Sequence, residues 1–177
     1  MELGRGWRTE RLDLEPLVAG HAAELAPVLD DACLHEFTGG APLGPAALAA
    51  QFARWAARRS PDGSQLWGNW VIRVRESQLA AGRLQATMPA AGPTAGPAAG
   101  PAEVAWVLGR PAQGHGYARE AARSLVALLQ DSGWIVIAHI HPGHLASQRV
   151  ARGAGLSPAS DIHDGEIRWA TGPAVTA

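Results

Sequence analysis

Residues 102–121 read AEVAWVLGRPAQGHGYAREA. An apolar strand pattern runs to Leu108, a glycine-bearing turn follows, and a helical pattern starts at once near Tyr117. Within the turn, Gln113-Gly114-His115-Gly116-Tyr117-Ala118 fits Q-x-x-G-x-A. A turn that feeds a helix start leaves several backbone N–H groups free and converging. Together with the positive end of the helix dipole they form an anion site. Gly114 and Gly116 have no side chains, so a large phosphorylated ligand can approach the main chain. The stretch therefore predicts a phosphate-bearing cofactor.

Working outward, Arg11-Leu12-Asp13-Leu14 alternates and predicts a first strand ending at Pro16. Val18, Ala22, Leu25 and Leu29 recur at helical spacing, with Pro27 predicting a kink or split. Leu48, Phe52 and Trp55 mark a second helix, with Arg54, Arg58 and Arg59 on its polar side. Ser60-Pro61-Asp62-Gly63 ends it. In NWVIRVR, Trp70, Ile72 and Val74 share one strand face and Val71, Arg73 and Arg75 the other. Residues 79–88 supply a hairpin partner. Residues 89–101 are a low-complexity Ala/Gly/Pro loop that cannot hold a ladder. After the decisive stretch, Gly133 caps the helix, WIVIAHI reads as a strand covered on both faces, and 145–154 as a short helix. His163-Asp164-Gly165-Glu166, between Ile162 and Ile167, predicts a hairpin turn. Strand–helix–strand over 102–140 implies a right-handed crossover with parallel pairing. The fold class is α/β, with a central mixed sheet of about seven strands and helices on both faces.

Length and composition narrow the function. A chain of 177 residues is expected to be one domain with one sizeable core. A net charge of −1 offers no field for nucleic acid or an anionic membrane. All 15 basic residues are Arg, so lysine-based catalysis is excluded. Cys33 stands alone and cannot form an internal disulfide. The polar start MELGRGWRTE lacks a signal-peptide core, and no apolar run is long enough to span a bilayer. A cytoplasmic, soluble protein is expected.

These segments resemble the GNAT N-acyltransferase superfamily, in its ribosomal-protein alanine N-acetyltransferase-like branch. RTERLDLEPL at 8–17 looks like that branch's first strand. AEVAWVLGRPAQGHGYAREA looks like its fourth strand, pyrophosphate loop and third main helix. ASQRVARGAGL at 146–156 looks like the helix beside the cofactor. The resemblance implies a GNAT-like fold over residues 1–177, acetyl-CoA as cosubstrate without a metal, and direct transfer to a primary amine. That amine is a peptide N-terminus or a small molecule. Main-chain groups around Trp106, Val107 and Leu108 would pair with the pantetheine arm in the gap between two splayed strands. The N–H groups of Gln113, Gly114, His115, Gly116, Tyr117 and Ala118 would hold the pyrophosphate. A homodimer is compatible with this reading; nucleic acid and membrane partners are not expected.

Direct transfer needs a deprotonated amine, a positioned thioester, a donor for the carbonyl oxygen near Val107 or Leu108, and a proton for the departing thiolate. Many relatives take that proton from a Tyr in the last crossover helix. The lone Tyr117 lies in the loop instead. Ser147 occupies the Ser of the branch's N-x-x-S motif, and His144 replaces its Asn. The acid is open between Ser147 and His144. Glu103 projects from the cofactor strand and is the first candidate base; Glu36, His35, Glu166 or a base acting through water are alternatives. Trp70, Trp106 and Trp134 read as core, and Trp67, at a strand start, as a candidate wall of an acceptor pocket. Arg110, Arg119 and His115 flank the phosphate site. His139, His141 and His144 lack the carboxylate or thiolate that would complete a metal site, so His139 reads as packed. Cys33 reads as filler. The missing Tyr and the His144 replacement motivate one alternative function, a catalytically weak acyl-CoA-binding or sensing module.

Overall fold

The computed structural model describes residues 2–37, 39–93 and 100–172, so the centre of the Ala/Gly/Pro loop, residues 94–99, lies outside the described residues. Among the described residues, besides short 3-10 turns, eight strands and four α-helices follow one another: β1 (Trp7–Arg8), β2 (Leu12–Pro16), α1 (Ala22–Leu29), α2 (Pro45–Ala56), β3 (Gln65–Val74), β4 (Ala80–Pro89), β5 (Ala102–Leu108), α3 (Tyr117–Asp131), β6 (Val136–Ile140), α4 (Leu145–Gly153), β7 (Ser157–His163) and β8 (Glu166–Ala170). The strands form one sheet in the order β1-β2-β3-β4-β5-β6-β8-β7. Eight strands stand where about seven were expected. The extra one is β1, whose two residues carry no readable period. α1 is not split at Pro27; it continues through that residue and ends at Leu29.

Alternation of side chains divides the core between the two faces of the sheet. Trp70, Ile72, Leu84, Ala86 and Val104 point to one face. There they meet Ala121, Leu125 and Leu129 of α3 and Ala151 of α4, all fully buried. Each such Leu contributes roughly 1.5–3 kcal/mol. That burial anchors the start of α3, and hence the glycine turn before it. Val71 points to the other face, where Leu25 of α1 and Leu48 and Phe52 of α2 cover it. The terminal hairpin turns through Asp164 and Gly165, at φ 49° and 83°. Two left-handed residues in sequence are what a tight hairpin requires.

Among the described residues, every ladder is antiparallel except β5 with β6, and that one is short. Ala102 pairs with Val136 and Glu103 with Ile137, and there the pairing stops. Over the same length β5 stays paired with β4, from Thr87↔Glu103 to Gly82↔Leu108. The two parallel strands therefore part beyond Glu103.

Asn69, on the α1–α2 face of β3, is 6% exposed, and neither side-chain amide atom has a partner. An orphaned buried polar group costs about 1–3 kcal/mol. Asn69→Leu is expected to raise the melting temperature by a few degrees, since about 1 kcal/mol moves it roughly 2–4 °C in a domain of this size. A fall of that size, measured calorimetrically, would show that the amide has a partner after all.

Candidate active site

Beyond Glu103, one edge of β5 has no strand beside it. The Ala102 N–H donates to Ile135 O on the β6 side, and the Gly109 N–H donates to Ala81 O on the β4 side. Backbone groups alternate along a strand. Trp106 and Leu108 thus turn their N–H groups to the open edge, while Val107 turns its own toward β4. Of the two expected donors for a carbonyl oxygen, only Leu108 faces the gap. Its own carbonyl accepts from Gln113 Nε2 at 3.0 Å, which ties the end of the strand to the turn.

The turn itself supplies the second set of donors. Gly114 and Gly116 both sit at φ 81°, and Gly116 is the residue before α3. The Gln113 N–H is used within the turn, on Arg110 O. Among the described residues, none of the next six N–H groups, Gly114 to Arg119, finds an acceptor. A Cβ built on Gly114 meets nothing within 4 Å, so the space in front of the turn is open. One network holds this turn. Glu120, in the first turn of α3, accepts from Thr9 Oγ1 at 2.6 Å, from Arg11 N–H at 2.8 Å and from Arg11 Nε at 2.7 Å. Arg11 then donates to His115 O at 3.0 Å and lies 5.0 Å from the Tyr117 ring centroid. Burial opposes ionisation of Glu120, but the bonds from Thr9 and Arg11 outweigh it and hold the carboxyl below its ordinary range.

The strand edge and the turn open into one cavity of about 1040 Å³, at the upper end of ligand pockets. Trp106, Val107, Leu108, Gln113, Gly114, His115, Gly116, Tyr117, Ala118, His144 and Ser147 all line it. Arg110, Arg119 and Arg149 add positive charge at its wall. His144 precedes α4 and stacks on Phe37 at 4.6 Å between ring centroids. Burial pushes its pKa down, and nearby His141 adds to this against the opposing pull of Glu36. The imidazole is therefore neutral at neutral pH.

Glu103 stands apart from this set. It does not line the cavity but borders a smaller groove with Gln65 and Thr87. Between it and the cavity lies His139, whose Nδ1 is 2.8 Å from Glu103 Oε1. His139 itself lines the cavity. The sequence pattern alone predicts a packed residue at this position. The signal that places it here, its register beside Glu103, depends on a pairing 36 residues apart. Of the alternative bases, Glu166 lines the cavity, whereas His35 and Glu36 do not. Trp67 is likewise outside it, its indole N–H bonded to Gln65. Cys33 is exposed and lines the cavity, so it does not fill a core gap. Among the described residues there is no cluster of metal-ligating side chains and no helix long and apolar enough to cross a membrane.

The family model described as the Acetyltransferase (GNAT) domain matches residues 11–157. No curated protein matches the chain. Solved structures share the fold. An acetyltransferase from Agrobacterium tumefaciens is 21% identical, with TM-score 0.69, covering 95% of this chain and 94% of that one. A Vibrio cholerae protein assigned as a ribosomal-protein-serine acetyltransferase is 16% identical, with TM-score 0.70, covering 98% and 100%. AAC(6')-Ib, solved with paromomycin and acetyl-CoA, is 16% identical, with TM-score 0.71, covering 92% and 93%.

The Glu120 network gives a pH signature. A carboxyl whose folded pKa is depressed adds stability above its unfolded pKa and loses it as pH falls through the folded value. Glu120→Gln is expected to cost about 1–3 kcal/mol at pH 7 and to flatten the loss of stability on acidification. Denaturant titrations at several pH values check this; an unchanged acid limb would contradict it.

Proposed function

The chain belongs to the GNAT acetyltransferase family, and we propose that it is a single-domain enzyme transferring the acetyl group of acetyl-CoA directly to a primary amine. One observation carries the reading: six unpartnered amides of the turn and the open edge of β5 meet in one cavity. A diphosphate suits the first and an extended amide-bearing arm the second. When bound, acetyl-CoA supplies an activated thioester carbonyl.

The residues divide the work as follows. The N–H groups of Gly114 to Arg119 hold the pyrophosphate, helped by the α3 dipole and by Arg110, Arg119 and Arg149. Trp106 and Leu108 pair with the arm along the open edge, as a neighbouring strand would. Leu108 N–H is the donor available to a carbonyl oxygen as negative charge grows on it. Glu103 fixes the tautomer of His139 by accepting from Nδ1–H. That leaves Nε2 with a lone pair, able to take the proton of the incoming ammonium. In this arrangement His139 is the base and Glu103 its positioning residue. Of the two candidate acids, Ser147 is preferred as the hydroxyl that relays to the departing CoA sulfur the proton shed by the amine nitrogen as the amide forms, which leaves Ser147 unchanged. Neutral His144 contributes a hydrogen bond to the arm instead.

The acceptor class is a primary amine, as on a peptide N-terminus or a small molecule. The other reading, an acyl-CoA sensor, shares the binding site and lacks turnover. Release of CoA thiol with a panel of primary amines separates them. His139→Ala is expected to lower kcat by about 10²–10⁴ with little change in acetyl-CoA affinity, and Glu103→Gln to lower it less. Binding without turnover on every amine would favour the sensor; unchanged turnover in His139→Ala would remove the proposed base.

A further inference from the structure

The sheet face covered by α1 and α2 carries a polar row on β4. Alternation puts Arg83, Gln85 and Thr87 there, opposite Val107, Ala105 and Glu103 of β5. Most charges on this face are matched. Arg73 holds Glu15 at 2.8 Å and Glu24 at 2.9 Å, and His139 holds Glu103 at 2.8 Å. Arg83 is different: among the described residues no carboxylate pairs with it.

What it does have is a ring and an amide. Its guanidinium carbon lies 4.8 Å from the Trp55 ring centroid, and Nη1 donates to Gln85 Oε1 at 2.9 Å. A guanidinium has five donors and no acceptor. None of the remaining ones is sealed from solvent. Burial alone lowers its pKa, to about 10, so it stays charged at neutral pH. A partly buried cation with donors left over gains charge-assisted hydrogen bonds when an anion arrives. Asn69, paired across the ladder with Gln85, is without a partner at both its amide nitrogen and its amide oxygen.

Arg83 and Gln85 do not themselves line the cofactor cavity, but their ladder partners do. Val107, which pairs with Arg83, and Ala105, which pairs with Gln85, both line the cofactor cavity. Arg83 lies four residues along β4 from Thr87, the partner of Glu103. At about 3.4 Å per residue, that is roughly 14 Å between main-chain positions, shortened by the side chains reaching inward from both ends.

We propose that the acceptor is an amine that also carries a carboxylate several bonds away, and that Arg83 binds this carboxylate, with Gln85 beside it, while the amine reaches His139. The proposal rests on the acetyltransferase reading and narrows its acceptor.

The first test needs no variant. In the unaltered protein, amines bearing a distal carboxylate are expected to show at least a tenfold higher kcat/KM than their carboxamide analogues. Arg83→Met should raise KM for the acids at least tenfold and leave KM for the amides and acetyl-CoA affinity unchanged; Arg83→Lys should lie between. A second arm does not depend on turnover. Glutarate titrated into the CoA-saturated protein is expected to bind, and to bind at least tenfold more weakly to Arg83→Met. Equal use of acids and amides, or equal losses for both in Arg83→Met, would reduce Arg83 to a prop for Trp55 and overturn the proposal. Absent glutarate binding in a protein that still acetylates amines would overturn the anion site alone. Acetyl-CoA binding with no acetylation would overturn the transferase reading, and glutarate binding lost in Arg83→Met would still support the anion site.

Discussion

The parallel pairing of β5 with β6 ends after two residue pairs, and the working surface of this protein follows from that ending. A strand that stays bonded to β4 but loses its other neighbour exposes a ladder edge in the middle of the sheet. Exposed edges invite a foreign strand. Here the opening is flanked by the turn after β5 and by α4, so what it admits is narrow and extended. The ending also leaves His139, on β6, at the wall of the cavity while its Nδ1 still reaches Glu103 at the last paired position of β5.

The glycine turn works only if the helix behind it does not move. α3 is anchored from below by Ala121, Leu125 and Leu129, fully buried against the sheet. It is anchored from the side by Glu120, which draws Arg11 and Thr9 toward its first turn. Arg11 continues to His115 O, so a residue near the start of the sequence fixes a carbonyl in the loop 104 positions later. The amides of Gly114 to Arg119 can then remain without partners, because the conformation is held by other bonds. Preorganised donors of this kind bind an anion with little further ordering.

Local features were legible in the sequence. The glycine turn, the helical period of α3 and the Asp164-Gly165 hairpin each lie within a few residues, and steric rules apply to them directly. The α/β class and the order of elements follow from those periods. Features set by strand register were not legible. Glu103 reads from the sequence as the first candidate base; that its carboxylate meets His139 requires knowing which residues pair across β5 and β6. The side on which each β5 amide points, which separates Leu108 from Val107, depends on the same register. The approach of Trp55 to Arg83 joins a helix to a strand through tertiary packing and leaves no periodic trace. β1, with two residues, has no pattern to read. Cys33 was misread because a small apolar residue gives no local sign of whether it lies in a core or on a cavity wall.

The central claim is that the turn and the open edge together form a site for acetyl-CoA. Calorimetric titration of the purified protein with acetyl-CoA, beside Gly116→Val, tests it most directly. Gly116 sits at φ 81° next to the unpartnered amides. A branched side chain there is strained and presses on Arg11 and Arg119, which border the turn. Saturable binding of one molecule per chain, lost in a Gly116→Val protein that remains folded, is the predicted result. A folded wild-type protein that binds no acetyl-CoA, or equal binding by both proteins, would contradict the account.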